Sequence, residues 1–328
     1  MTTYDVTRRG ALALAAGLTL AAGPALAQTK WNLPAAYPAA NYHSENLVWF
    51  ADEIKKATGG KLEITVHPGA SLFKAPEIKR AVATGQAQIG EVLISIHENE
   101  DPVFGVDTLP FLTSDFASAR KLWSASKPHI AKKLDSQGLM LLYSAPWPSQ
   151  GLYAKKEINS LADLKGLKMR AYNVGTTRIA ERVRRIKPSP SSADLPQALA
   201  TGTVNSFMTS GATGYDSKAW ETTSHWYDLQ AWQPKNVVFV NKASFTGLPK
   251  DQQDAITKAA AAAEERVWKI AAEKQGWYID QLKAKGMKVQ PPSAALNSGL
   301  QKIGAQLTED WLKRAGADGA AVIAAYKK

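Results

Sequence analysis

"LPKDQQDAITKAAAAAEERVWKIAAEKQGWYIDQLKAKG", residues 248–286, places Ile256, Ala260, Ala263, Val267, Ile270 and Trp277 at roughly helical intervals. They approximate one apolar stripe of a helix, with Gly286 as the expected stop. Read as continuous past Gly276, the helix runs roughly 54 Å at about 1.5 Å per residue. One small lobe cannot cover that length, so the helix is expected to lie across two. Chain length agrees: beyond about 250–300 residues a single core stops growing, and this chain has 328.

The two lobes are expected to be α/β. "KWNLPAAY" (30–37) has the pattern of a strand entering a loop. In "SENLVWFADEIKKATGG" (44–60), Leu47, Phe50, Ala51, Ile54 and Ala57 share a helical face ended by Gly59-Gly60. "KLEITVHP" (61–68) alternates as a strand does. Strand–helix–strand order argues for an α/β layer architecture. "PEIKRAVATGQAQIGE" (76–91) and "LPQALATGTVNSFM" (195–208) resemble one another. Each sets proline in a first helical turn, then Ala-Thr-Gly as terminator, then a short strand. Similar parts in two lobes would bring both strand ends to a shared cleft. "LMLLYSAPWPSQGLYAKK" (139–156) is two strands about a bend at Pro146-Trp147-Pro148, a place for the chain to change lobes, and "NVVFVNKASF" (236–245) is the expected return. The expected first lobe is 28–146 with about 236–275, and the second 147–235 with about 276–328.

The N-terminus points to export. Arg8-Arg9 precede an apolar run from Ala11 to Ala22, broken by Gly23-Pro24 and closed by Ala25-Leu26-Ala27. That is the pattern of a signal peptide over 1–27, too short for a bilayer span of about 20 apolar residues. The paired arginines also fit twin-arginine export, although the aromatic often expected after the pair is missing. The chain has no cysteine, which excludes disulfides, cysteine-ligated metal and a lipid-modified cysteine. A Gram-negative periplasm is the expected compartment, and the protein is expected to be monomeric. Lys and Arg exceed Asp and Glu by 40 to 29, a net charge of +11 that favours anionic ligands or surfaces. The basic residues are spread along the chain apart from "RIAERVRRIK" (178–187), most simply a solvated helix face, and an exported chain is not expected to bind nucleic acid.

Standard catalytic and cofactor motifs are absent: no G-x-S-x-G, no phosphate loop, no G-x-G-x-x-G and no H-E-x-x-H. The five histidines, 43, 67, 97, 129 and 225, share no metal-ligand spacing, and "SIHENEDP" (95–102) lacks the glycine and length of a calcium loop. No cofactor, metal site or catalytic residue is therefore expected. Ten tryptophans and ten tyrosines include several in loops: Tyr37, Tyr42, Trp147, Tyr172, Tyr215 and Trp232. Together they suit the wall of a cleft around a partly apolar ligand. Arg170 stands in the apolar run "KMRAY" (168–172) just before Asn173. An arginine there is salt-bridged, solvated or reserved for an anion, and its planar donors match a carboxylate.

"INSLADLKGLKMRAYN" (158–173) resembles the signature of the DctP-like substrate-binding proteins of tripartite ATP-independent periplasmic (TRAP) transporters. A D-L-K-G-L-K-apolar-R segment carries the likeness, with "DPVFGVDTLPFL" (101–112), "LPQALATGTVNS" (195–206) and the long helix after "GLPKDQQDAI" (247–256). The resemblance implies a two-lobe periplasmic binding protein fold with mixed sheets, crossing hinge strands and a spanning helix. It implies a protein that closes over an organic acid, with Arg170 on its carboxylate, and delivers it to a TRAP membrane permease. Asn173 matches a polar turn position. Gln150 falls where sialic-acid binders of the family carry a second arginine, and Thr209 replaces an asparagine. Glu91, Trp147, Phe207, Tyr37, Tyr215 and Trp232 complete the expected ligand-binding set. One arginine amid aromatic residues favours a monocarboxylate, such as an aromatic, hydroxy or sugar acid, over a compact dicarboxylate. A binder serving an ATP-driven (ABC) importer or a sensor kinase shares the cleft and differs in partner. A periplasmic enzyme is the third class.

Overall fold

The computed structural model describes residues 28–183 and 194–328. The expected leader, 1–27, and the latter part of the basic run at 178–187 lie outside the described residues.

β1 (Thr29–Pro34), α1 (Tyr42–Ala57) and β2 (Leu62–His67) form the expected strand–helix–strand unit, with β1 and β2 parallel. Asn41 caps α1 by accepting from the His43 amide, and Leu47, Phe50, Ala51 and Ile54 turn inward while Ala57 faces solvent. α2 (Ala75–Ala83) turns through Gly85, at φ 77°, into β3 (Ile89–Leu93). Short 3-10 segments at Ile94–His97 and Pro102–Thr108 lead to α3 (Phe116–Asp135) and β4 (Leu139–Pro146).

The chain then changes lobe. The second lobe holds β5 (Gln150–Ala154), β6 (Met169–Arg170), α4 (Val174–Arg182), α5 (Leu195–Ala200), β7 (Ser206–Ser210), α6 (Gly211–Asp216) and β8 (His225–Tyr227). α5 turns through Gly202, at φ 65°, into β7, repeating the α2–Gly85–β3 construction of the first lobe. The chain returns as β9 (Lys235–Asn241), α7 (Lys242–Thr246), α8 (Lys250–Ala284), β10 (Lys288–Gln290) and α9 (Ala294–Lys327).

In the first lobe β9 lies antiparallel between β3 and β4. The Gln88 amide bonds to the Asn32 carbonyl at 3.3 Å and joins β1 to the start of β3. The second sheet is mixed, in the order β10-β8-β5-β7-β6. β5 is antiparallel to β7 and β8, whereas β6 and β10 add in parallel.

The expected return stretch, 236–245, falls on β9 and α7, with Val237 to Val240 buried in the first lobe's core. The stretch from 228 to 234 joins β8 of the second sheet to β9 of the first. It pairs with the outgoing passage: Trp147 N to Pro234 O at 2.8 Å, Gln150 N to Trp232 O at 3.0 Å, and Ala231 N to Gln150 O at 3.0 Å. The hinge is thus a two-stranded antiparallel ribbon.

α8 is continuous through Gly276. Ile256, Ala260, Ala263 and Val267 are buried as the stripe requires, but the stripe then rotates. Trp268, Ala271, Tyr278 and Leu282 are buried, Ile270 is only partly covered, and Trp277 is 44 % exposed. An α-helix drifts relative to any simple repeat over this length. α8 packs on α1 and β4 in the first lobe and on α6 and β10 in the second. α9 also bridges. Leu296, Leu300, Ile303 and Leu307 join the core of the second lobe. Beyond them Trp311 donates to the Pro102 carbonyl at 2.6 Å, and Val322 joins the first lobe's core past a break at Gly316.

Candidate functional site: a buried arginine in an interlobe cavity

The stretch that delivers Arg170 is a scaffold for a two-residue strand. Asp163 accepts from the amides of Asn159 and Ser160 at 3.0 and 2.8 Å, which closes the turn at Ser160. Leu164, Leu167 and Met169 sink into the second lobe's core, and Gly166 takes φ 87° between them, a backbone region glycine enters without strain. Side chains alternate along β6, so Met169 points into the core and Arg170 into a cavity between the lobes.

That cavity has a volume of about 300 Å³. Its second-lobe side is polar: Arg170, Tyr172, Gln150, Thr209, Ser210 and Thr213. The first lobe and the hinge supply mostly apolar groups: Tyr37, Ala75, Pro76, Leu93, Ile96, Trp147 and Pro234. β3 and β7, the two strands of matching construction, both end here.

Arg170 is 4 % exposed, and its guanidinium carbon lies 5.2 Å from the centre of the Tyr172 ring. Burial pulls the guanidinium down from its ordinary value to about 10, with Tyr172 and Tyr37 acting in the opposite direction. It remains a cation at neutral pH, held where water cannot screen it. Tyr172 is itself fixed. Its hydroxyl accepts from Trp232 Nε1 at 3.2 Å and donates to Gln150 Oε1 at 3.2 Å, and Gln150 Nε2 donates to the Pro148 carbonyl at 3.0 Å. Burial pushes the Tyr172 phenol above its ordinary value, so it stays neutral.

The hinge-side wall is fixed from behind. Trp147 meets Tyr37 edge to face at 4.7 Å, stacks on His43 at 4.1 Å and donates from Nε1 to Asn236 Oδ1 at 2.8 Å. His43 Nδ1 lies 3.1 Å from Glu91 Oε1.

Of the expected site residues, Arg170, Gln150, Trp147, Thr209 and Tyr37 line the cavity. Trp232 stands one hydrogen bond behind it. Four others lie elsewhere. Asn173 caps α4, accepting from the Thr176 amide at 2.8 Å, and its Nδ2 donates across the lobes to Ser95 Oγ at 3.0 Å. Glu91 is fully buried against His43. Phe207 sits two residues deeper along β7 than Thr209 and is covered by Tyr153, whose ring stacks on it at 4.6 Å. Tyr215 packs against Trp277 and Tyr278 of α8, where it joins α6 to the spanning helix.

Tyr172 was expected only among the aromatics of a cleft wall, and Ser210, Thr213, Leu93 and Ile96 were not expected at the site. Ser210 and Thr213 had a local signal: Ser210 is the N-cap of α6 and accepts from the Thr213 amide at 3.2 Å, the spacing that opens a helix directly after a strand. In the 95–102 stretch, Glu100 is held by His97 at 2.9 Å and Lys79 at 2.5 Å.

A family model described as bacterial extracellular solute-binding protein, family 7 (DctP), matches residues 36–314. The chain is similar to the crystal structure of DctP6, a Bordetella pertussis extracytoplasmic solute receptor binding pyroglutamic acid. Identity is 52 % and the TM-score 0.89, covering 91 % of this chain and 99 % of that one. A marine-metagenome TRAP solute-binding protein specific for pyroglutamate, solved with that ligand co-purified, shows 48 % identity and TM-score 0.89, with 92 % and 99 % of the two chains covered. DctP7 of Bordetella pertussis, also a receptor binding pyroglutamic acid, shows 45 % identity and TM-score 0.90 over 92 % and 100 %.

Proposed function

Because the chain belongs to family 7 of the bacterial extracellular solute-binding proteins, we propose that its cleft captures pyroglutamate, or a close cyclic monocarboxylate, for a TRAP permease. The observation that carries this is Arg170, a buried cation lining a cavity of about 300 Å³ between two lobes. Its planar donors hold the ligand carboxylate through paired charge-assisted hydrogen bonds, each contributing about 1.5–3 kcal/mol. The methylene edge of the ring rests on Leu93, Ile96 and Trp147. The lactam group faces the hydroxyls of Thr209, Ser210 and Thr213. Arg170 is the only cation among the described lining residues, which favours a monocarboxylate over a dicarboxylate. Three receptors of pyroglutamate at 45–52 % identity support the ligand class.

Capture is followed by release of the same molecule, with no chemical step, as the lobes turn about the ribbon formed by 147–150 and 231–234. We place the lobe boundaries at those crossings and the protein in the periplasm, reached through the leader at 1–27. Finding adjacent genes for a large and a small membrane subunit, without an ATPase, would support the TRAP partner; finding a neighbouring ATPase gene would point to an ABC importer.

The test is calorimetric titration of the ligand-free protein with L-pyroglutamate, repeated on Arg170→Ala. Wild type is expected to bind, return the ligand unchanged, and gain about 2.7 kcal/mol of stability at a hundredfold excess over Kd. Arg170→Ala is expected to fold and to lose at least about a hundredfold in affinity. Undiminished binding by the variant contradicts the assignment.

A further inference from the structure

Resting on the reading of Arg170 as the carboxylate anchor, we infer that this cavity selects acids whose nitrogen is uncharged and rejects free α-amino acids of the same size. A carboxylate on Arg170 brings the atoms next to it into the same dry space. In an amino acid one of those atoms is an ammonium, which needs an anion or several well-placed acceptors once water is removed.

None of the described side chains lining the cavity is acidic. The buried carboxylates near the interlobe region are each engaged through one oxygen, and none of them lines the cavity. Glu91 is held by His43 at 3.1 Å, Asp216 accepts from Asn41 Nδ2 at 2.6 Å, and Asp107 lies 3.3 Å from the Lys235 ammonium while accepting from the Lys235 amide at 2.9 Å. Of the residues outside the described ones, 184–193 ("RRIKPSPSSA") contain no Asp or Glu by sequence, and the expected leader, 1–27, contains only Asp5.

What the cavity offers beside Arg170 is neutral: the hydroxyls of Thr209, Ser210 and Thr213 and the Gln150 amide, whose oxygen already accepts one hydrogen bond from Tyr172. Such groups satisfy an amide N–H and carbonyl. A ligand ammonium there finds no acidic side chain among the described lining residues. The structure therefore assigns discrimination between the lactam acid and its charged-nitrogen analogues to a missing countercharge rather than to cavity size. Proline makes the comparison clean, since it has the same ring and carboxylate as pyroglutamate and is smaller.

The experiment is calorimetric titration of the ligand-free protein at neutral pH with L-pyroglutamate, tetrahydrofuran-2-carboxylate and L-proline. The furan acid keeps the ring and the carboxylate with an uncharged ring oxygen in place of nitrogen. Both uncharged-ring acids are expected to bind, with proline at least about tenfold weaker than the furan acid. Proline within that margin overturns the inference and leaves pyroglutamate capture standing. Binding of pyroglutamate alone, with the furan acid as poor as proline, also overturns it, because discrimination then lies in the lactam hydrogen bonds. Binding by none of the three overturns the carboxylate-capture reading itself, and this inference with it.

Discussion

Arg170 owes its usefulness to a cost. Burying a guanidinium lowers its pKa to about 10, so the charged form is destabilised in the folded protein at neutral pH and the strain is relieved as pH rises through about 10. A bound carboxylate removes the same strain at neutral pH. Affinity for a carboxylate is accordingly expected to stay level from neutral pH to about 9. Above about 10, where the ligand-free protein loses the proton, it should fall by up to tenfold per pH unit, as calorimetry at stepped pH will show. Tyr172 is the second test at this scale. Tyr172→Phe keeps the ring beside Arg170 but removes the hydroxyl joining Trp232 to Gln150. A loss of about 1 kcal/mol, some fivefold in Kd, is expected, against a much larger loss for Tyr172→Ala. Arg170 drew notice in sequence because an arginine in an apolar run demands a reason, but the run alone left a salt bridge, solvent and an anion open, and only the family resemblance favoured the anion. Tyr172 was visible only as one loop aromatic among several, since its role depends on Trp232, sixty residues away. Asn173 is ambiguous in sequence for a related reason: a polar residue at a turn before a helix serves as a cap as readily as a ligand contact, and here it caps α4.

At the scale of elements, periodicity carried most of the fold. α1, β1, β2 and the paired α2–β3 and α5–β7 units follow directly from spacing and from glycine terminators. The start of β9 did not. Val237 to Val240 form a continuous apolar run, and such a run is equally compatible with a buried strand and with a passage between lobes. Its N-terminal end is fixed instead by an ion pair. Lys235, the first residue of β9, lies 3.3 Å from Asp107, both fully buried. Burial lowers the Lys235 ammonium and raises the Asp107 carboxyl, while each partner opposes the shift of the other. Breaking one side leaves an uncompensated charge. Asp107→Asn is expected to lower stability by about 3–5 kcal/mol, and adding Lys235→Met to recover most of it; denaturant unfolding of the single and double variants measures both. Equal stability of the single variant and wild type would contradict this account of the crossing.

Across the whole molecule, two long helices tie together lobes that are otherwise joined by a two-stranded ribbon. The span of α8 was legible from its length alone. That of α9 was not, because its last turns, "GADGAAVIAAYKK" (316–328), are mostly alanine and glycine and carry little periodic signal. The residues 276–328 expected in the second lobe thus end, from Trp311 onward, against the first. Between the lobes, Asn173 to Ser95 and Asn41 to Asp216 are hydrogen bonds that hold the cleft shut around its cavity. A ligand inside such a cleft touches both halves at once, so its pose reports on the entire arrangement. The most direct measurement is a crystal structure of the protein with pyroglutamate. The account predicts one molecule in the cavity lined by Tyr37, Trp147 and Thr209, its carboxylate oxygens about 2.7–2.9 Å from the Arg170 nitrogens. A carboxylate turned away from Arg170, or a ligand seated outside the interlobe cavity, would contradict it.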